Sequence, residues 1–393
     1  MQDTAELTLR APAEKAADGQ RARHKIASLE IARFIASLSV IVWHYDHLFM
    51  VGAWTPEAAK SVHANGLPLA FLLAPFYHVG YAAVFVFWTI SGFIFFFKYA
   101  ETIYSKGITL RDFLIFRISR LYPLHFTTLI LVTALQGVYV INHTASFIYG
   151  PNDLTHFAAH LFMASNWFNG QPFTFNGPMW SVSAEVLVYL LFFLILRKVQ
   201  PGLLAPVGAF AMAFAISNLS IFDIARPVVH CAEYFFLGGI IEVVHRRLGR
   251  QGALVTNAIF ALSFCVALAC VYVNYWQGWP QPSRAWYFAF CASFIVACVN
   301  SDQVIGRRAL AACAVLGELT YSMYLLHFPV QIVTATLVDW AGWSRDWFYQ
   351  LTPFLLYMSA VGVVSYFSYR FLELPAQEAI RRKFVRNYAL KNA

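Results

Sequence analysis

The residues of this chain that could do chemistry are conspicuous because their neighbours could not. The segment Leu29-Glu30-Ile31-Ala32-Arg33 leads into an apolar stretch that ends at Trp43-His44-Tyr45-Asp46-His47. An ionisable side chain inside such a run costs several kcal/mol and is a mark of function by default. Arg33 and His44 are eleven positions apart. At about 100° per residue that is three turns plus roughly 20°, so both leave one face of a helix, about 16 Å apart along its axis. Imidazole titrates near neutral pH, which suits it to act as a general base or as a nucleophile. Asp46 and His47 would allow a metal, but three candidate ligands on one helix end without a distant fourth do not make a site, so none is expected.

Other candidates follow along the chain. Arg117 and Arg120 lie in Arg117-Ile118-Ser119-Arg120-Leu121-Tyr122-Pro123, where a spacing of three places both guanidiniums on one helix face. They either anchor the chain at a membrane boundary or clamp phosphate groups. Pro178-Met179-Trp180-Ser181-Val182-Ser183-Ala184-Glu185 opens a further helix. Ser181 to Glu185 is one residue longer than a capping box, so capping explains Glu185 poorly. Its carboxylate would sit about a turn and a half into that helix, able to bind an imidazole or an acceptor hydroxyl. Tyr321-Ser322-Met323-Tyr324-Leu325-Leu326-His327 adds hydroxyls and an imidazole, for which helix-to-helix hydrogen bonding is the plainer reading.

The elements that must position these side chains are membrane helices. Only 12% of the 393 residues are charged and mean hydropathy is +0.57, against about 25% charged in soluble domains. Apolar runs place ten helices, near 29–49, 79–98, 120–141, 178–197, 202–219, 227–245, 253–274, 285–300, 309–336 and 350–370, most of them long enough to cross roughly 30 Å of hydrocarbon. The stretch 142–177 is apolar in its middle but too short there to span, and is expected to re-enter or to lie along the surface. With the N-terminus inside, 23 of the 28 Lys and Arg fall in segments on one side and four (Lys60, Arg226, Arg284, Arg345) on the other, with Arg33 inside the first helix. That asymmetry places both termini in the cytoplasm. The net charge of +8 is therefore a topology signal, and no nucleic-acid partner is expected. The six cysteines lie singly in apolar runs without a C-x-x-C pair, as packing residues do. The expected organisation is all-α: a disordered cytoplasmic tail over 1–27, a polytopic membrane domain over 28–376, and a basic cytoplasmic tail over 377–393.

Five segments together resemble the membrane acyltransferase-3 family of bacterial O-acyltransferases, from about residue 27 to 376. They are the Arg33-to-His44 spacing, Phe85-Val86-Phe87-Trp88-Thr89-Ile90-Ser91-Gly92-Phe93, Arg117/Arg120 with Tyr122-Pro123, Trp180-Ser181-Val182-Ser183-Ala184-Glu185, and Tyr321 to His327. The resemblance implies transfer of an acyl group, usually acetyl, from cytoplasmic acyl-CoA to a hydroxyl on polysaccharide, lipopolysaccharide or a lipid-linked sugar outside the bacterial inner membrane. Acyl-CoA would be a co-substrate, with no permanently bound cofactor. His44 and Glu185 are the implied catalytic pair, and Arg33, Arg117 and Arg120 would hold acyl-CoA. Ser91, Trp180, Ser181, Tyr321, Ser322 and His327 would shape the transfer site.

This sequence departs from the family pattern in three ways. Val186 stands where a second acidic residue is common, Glu373-Leu374-Pro375 lacks the arginine of a Glu-Arg-Pro ending, and no soluble esterase-like domain is expected after residue 393. Three other readings compete, among them a non-catalytic membrane receptor, to which an intramembrane Arg33, His44 and Glu185 give little support. In one the acceptor is a small molecule such as a macrolide, which leaves the chemistry intact. In another the polar path exports a sugar or small acid, although transporters are typically built from repeats and none is evident.

Overall fold

The computed structural model describes residues 26–64, 66–168, 170–219, 225–248, 283–304 and 316–385, with five isolated positions between 258 and 269. Residues 1–25 of the tail expected over 1–27, all but five positions of the helix expected at 253–274 and the first residues of the one expected at 309–336 lie outside the described residues. Helices α1 (Ala27–Trp43), α2 (Pro56–Ala64), α3 (Ala70–Val79), α4 (Ala83–Tyr104), α5 (Leu110–Tyr139), α6 (Leu154–Leu161) and α7 (Met179–Leu196) form the first half. The second half is α8 (Leu204–Asn218), α9 (Arg226–Leu248), α10 (Arg284–Val304), α11 (Thr320–Trp340), α12 (Leu351–Ser368) and α13 (Leu374–Phe384). The protein is an all-α integral membrane protein. Among the described residues eight helical stretches are long and apolar enough to span a bilayer. Helix α8, at 15 residues, is short for that role.

Several boundaries differ from those expected, each for a physical reason. α5 begins ten residues before the expected start at 120, at Leu110, capped by Thr109, whose hydroxyl accepts from the Asp112 amide at 3.1 Å. Hydropathy reads Arg111, Asp112, Arg117 and Arg120 as loop, whereas a capped helix carries them inward. α1 ends at Trp43 and continues as a 3-10 helix, His44–Phe49. The second expected helix is the latter part of a 35-residue rod, Ala70–Tyr104, in which a 3-10 turn at Gly80–Ala82 joins α3 to α4. A π-helical turn, Tyr369–Glu373, joins α12 to α13. The tail boundary expected at 377 falls inside α13, whose Arg381 Nε donates to Ser119 Oγ at 3.0 Å on α5.

In hydrocarbon every backbone polar group needs a protein partner. Pro329 inside α11 leaves the Leu325 carbonyl without its usual donor. Asn176 Nδ2 supplies one at 3.0 Å, tying the segment before α7 to α11. Helices α4 and α9 approach until their backbones touch. A Cβ on Gly92 would run into the carbonyl of Phe235, and one on Gly238 into that of Thr89. Small residues are what permit such contacts in membranes. Gly238→Leu is therefore expected to destabilise the fold by about 1–3 kcal/mol or more through overpacking. A lowered thermal midpoint of the detergent-purified protein checks this.

Candidate active site

Four helices wall a cavity of about 100 Å³ in the bundle: α1 contributes Arg33, α4 Ser91 and Trp88, α5 Arg117 and Arg120, and α7 Ser181, Glu185 and Tyr189. α11 closes it with Thr320, Tyr321 and Tyr324. The α-helical spacing explains the assembly, since Glu185 and Tyr189 are one turn apart, as are Arg117 and Arg120. Glu185 accepts hydrogen bonds from Ser91 and Tyr189 and lies in electrostatic range of Arg33 and Arg120. The Ser91 and Tyr189 hydroxyls are 3.3 Å apart.

The guanidiniums are unevenly satisfied. Arg117 donates to the Tyr99 hydroxyl at 2.5 Å and lies over the rings of Phe95 (4.8 Å), Tyr99 (5.0 Å) and Phe113 (5.9 Å). These are cation–π distances. Among the described residues the carboxylate paired with Arg33 is that of Glu30, at 3.9 Å. Among the described residues no carboxylate pairs with Arg120. Among the described residues the buried Nε atoms of Arg33 and Arg117 have no partner. Buried donors left unmade cost about 1–3 kcal/mol each, and such groups in a cavity suit an anionic or strongly accepting ligand.

His44 does not line this cavity. It sits one layer beyond, where α1 becomes a 3-10 helix, and is 6% exposed. Its Nδ1 is 3.0 Å from Nε2 of His327 on α11. The proton arrangement follows from the other partners. The Met323 carbonyl can only accept, so His327 Nδ1 carries a hydrogen toward it at 3.2 Å. His327 Nε2 is then the acceptor, and His44 Nδ1–H donates to it, with the Val40 carbonyl as a further acceptor. His44 Nε2 keeps its lone pair and has no protein partner among the described residues. Gln331 Nε2 donates to the His44 carbonyl at 2.7 Å, and its oxygen accepts from His47 Nδ1 at 3.3 Å. Tyr324 joins the two layers: it lines the cavity, lies 2.7 Å from Ser181 Oγ, and packs its ring 6.2 Å from that of His327.

On the far side of His44 the 3-10 segment presents Asp46. Its carboxylate accepts from Trp54 Nε1 at 3.2 Å and lies 3.9 Å from His63 and 4.0 Å from His47. Burial, reinforced by His78, holds the His63 imidazole down to about 4, so it is neutral at pH 7. Among the described residues no group of His, Cys, Asp and Glu is arranged to hold a metal ion.

Of the residues expected from sequence, Arg33, Ser91, Arg117, Arg120, Ser181, Glu185 and Tyr321 meet in the cavity. His44 and His327 form the adjoining pair. Trp180 stands behind, edge-on to Trp88 at 5.5 Å. Ser322 faces away and donates to Glu373, which the π-helical turn brings to it. Tyr189, Tyr324 and Gln331 were not singled out. The signal was available, because each stands three or four residues from Glu185 or His327 on the same helix face.

A family model described as an acyltransferase domain matches residues 26–371, nearly the whole described chain. No curated protein and no solved structure matches.

Proposed function

The chain belongs to the membrane acyltransferase-3 family, and from that premise we propose that it transfers an acyl group, most simply acetyl, from cytoplasmic acyl-CoA to a hydroxyl outside the bacterial cytoplasmic membrane. The acceptor class is a polysaccharide, lipopolysaccharide or lipid-linked sugar. The observation that carries this reading is the His44–His327 pair standing directly beyond a cavity of three arginines. The excess of Lys and Arg on one side turns the arginine side toward the cytoplasm.

In this mechanism the phosphates of coenzyme A lie against Arg117 and Arg120, and the thioester passes Arg33 and Glu185 toward His44. His44 Nε2 takes the proton of the acceptor hydroxyl as its oxygen attacks the thioester carbonyl carbon. The C–S bond then breaks, and the departing thiolate takes that proton from His44. The reaction is balanced without any further proton donor. His327 holds the tautomer that leaves Nε2 free. Glu185, held by Ser91 and Tyr189, lies within electrostatic range of Arg33 and Arg120 and helps to fix their geometry.

His327→Leu keeps bulk but removes the imidazole acceptor for His44 Nδ1–H and leaves it the Val40 carbonyl alone. The maximal transfer rate is expected to fall about 10- to 100-fold with half-saturating acyl-CoA unchanged, as steady-state assays would register. The reading as a whole is tested by supplying acetyl-labelled coenzyme A to membranes with and without the protein, then measuring surface glycans by mass spectrometry. A fixed mass gain that carries label supports it. Glycans without label, together with movement of a sugar or small acid across the membrane, would replace it with the exporter reading. Label on a small molecule such as a macrolide would keep the chemistry and change the acceptor.

A further inference from the structure

The segment before α7 carries a side chain into the site that the mechanism above leaves unused. Tyr149 lies against His47 (5.5 Å between ring centroids, edge-on), Phe328 (4.9 Å) and Phe173 (6.0 Å). Its ring also covers the Cα of Gly177, where any Cβ would collide with it. The segment is tied on both sides. Gln136 makes two 2.9 Å hydrogen bonds to the backbone of Phe147, and Asn152 donates to the Tyr149 carbonyl at 3.1 Å. The Ile148 amide donates to the Gly52 carbonyl at 3.2 Å. Ile148 itself sits at φ 59°, a left-handed conformation that is a genuine outlier for a β-branched residue. Strain of this kind persists only where surrounding contacts enforce it, and such residues cluster at active sites and ligand clamps.

These contacts fix the Tyr149 ring and leave its hydroxyl unoccupied. Among the described residues no hydrogen-bond partner reaches that oxygen. Nor is it among the fully buried atoms lacking a partner, so it retains some accessible surface. It lies in electrostatic range of Asp46 and Tyr324. His327, His44, His47, Tyr149 and Tyr324 thus form a ring, with centroids 5.0 Å apart for the first pair, 4.8 Å for the second and 5.5 Å for the third. The fourth contact is the electrostatic one, and Tyr324 closes on His327 at 6.2 Å. Two groups of this ring have no hydrogen-bond partner among the described residues: Nε2 of His44 and the hydroxyl of Tyr149.

We propose that Tyr149 is a catalytic residue, whose hydroxyl donates a hydrogen bond to the oxyanion formed when the acceptor oxygen adds to the thioester carbonyl. This rests on the function proposed above. In the addition step the new C–O bond forms, the acceptor proton goes to His44 Nε2, and the carbonyl π pair moves to the oxygen facing Tyr149. In the collapse step that pair re-forms C=O, the C–S pair leaves with sulfur, and His44 returns the proton to the thiolate. Burial, with Asp46 nearby, pushes the Tyr149 hydroxyl above its ordinary value, so it keeps its proton and serves as donor. A donor fixed in place before the reaction is the arrangement that stabilises a developing charge best.

The test uses the full chain in native membranes, with acetyl-labelled coenzyme A as probe and label incorporated into membrane glycans as readout. Tyr149→Phe keeps the ring and removes only the oxygen. Its maximal rate should fall about 100-fold or more, while half-saturating acetyl-CoA stays within about twofold of wild type. Phe173→Leu, which loosens the packing of the same ring without touching the hydroxyl, should retain the wild-type maximal rate. A Tyr149→Phe variant at full rate overturns the assignment, and so does one whose only change is weaker donor binding. An equal loss in Phe173→Leu also overturns it, because packing would then explain the effect. His44→Ala separates the two levels of inference. If that variant is inactive while Tyr149→Phe is fully active, only the Tyr149 role fails. If it is active, the proposed function fails as well.

Discussion

Replacing His44 with alanine is expected to lower acyl transfer about 1,000-fold or more, while acyl-CoA still binds with near wild-type affinity. The separation of the two effects follows from where the side chains lie. His44 is outside the arginine cavity, one layer beyond it, and none of its hydrogen bonds goes to Arg33, Arg117 or Arg120. Its removal takes away the only unpartnered base nitrogen of the pair and leaves the groups that meet the donor's phosphates in place. The variant also leaves His327 Nε2 without its donor, a buried acceptor unmade at a cost of about 1–3 kcal/mol. His44→Asn, which keeps a side-chain amide that can donate to His327, controls for that loss and should be equally inactive. Isothermal titration of purified protein with acetyl-CoA, beside an assay of label transfer, measures both quantities. Wild-type transfer in either variant would remove His44 from the chemistry.

How far the site could be read beforehand depends on which physical signal each residue gives. Arg33, Glu185 and His327 stand out because an ionisable group in an apolar run is expensive, and that expense is visible in the sequence. The same rule does not find Tyr189 or Tyr324, whose rings look like ordinary membrane-helix residues until helical spacing is projected from Glu185 and His327. Arg117 and Arg120 were legible as a pair but misplaced along their helix. A window average over Arg111, Asp112, Arg117 and Arg120 reads as loop, while the Thr109 cap and the packing of Phe113 keep those turns helical. The single-face argument for Arg33 and His44 is right for Arg33 and incomplete for His44. The helix changes to 3-10 geometry at that residue, and the imidazole finds a partner on α11 rather than the cavity.

Tyr149 is the opposite case. No periodicity marks a side chain delivered by a loop. Its position is set by contacts distant in sequence, among them Gln136 to Phe147, Ile148 to Gly52 and Asn176 to Leu325. The last of these exists because Pro329 leaves a carbonyl unsatisfied, a fact legible at Pro329 but silent about which residue answers it. Membrane burial is strongly written in composition. The partners that satisfy individual polar groups inside it are written only in three dimensions.

Donor binding should fail through the arginines instead. Arg117→Ala combined with Arg120→Ala is expected to weaken acyl-CoA binding about 100- to 10,000-fold, two contacts to a charged ligand at about 1.5–3 kcal/mol each. The two losses should differ in kind. Arg117 is held by Tyr99 and three aromatic rings, so its replacement also opens a hole in the packing and is expected to lower thermal stability. Arg120 has no such partner among the described residues, and its removal should reduce affinity with little change in stability. Lysine at either position restores charge without the planar fork of donors, so Arg120→Lys should recover part of the affinity and Arg117→Lys less, since the ammonium cannot reproduce the flat contact with the Phe95 ring. Titration of each variant with acetyl-CoA and with dephosphorylated coenzyme A tells phosphate recognition from general positive charge. If the arginines clamp phosphate, the penalty for each substitution shrinks on the dephosphorylated ligand. An unchanged penalty on both ligands would assign these arginines to the diphosphate that both keep, and no penalty on either would leave them as boundary anchors.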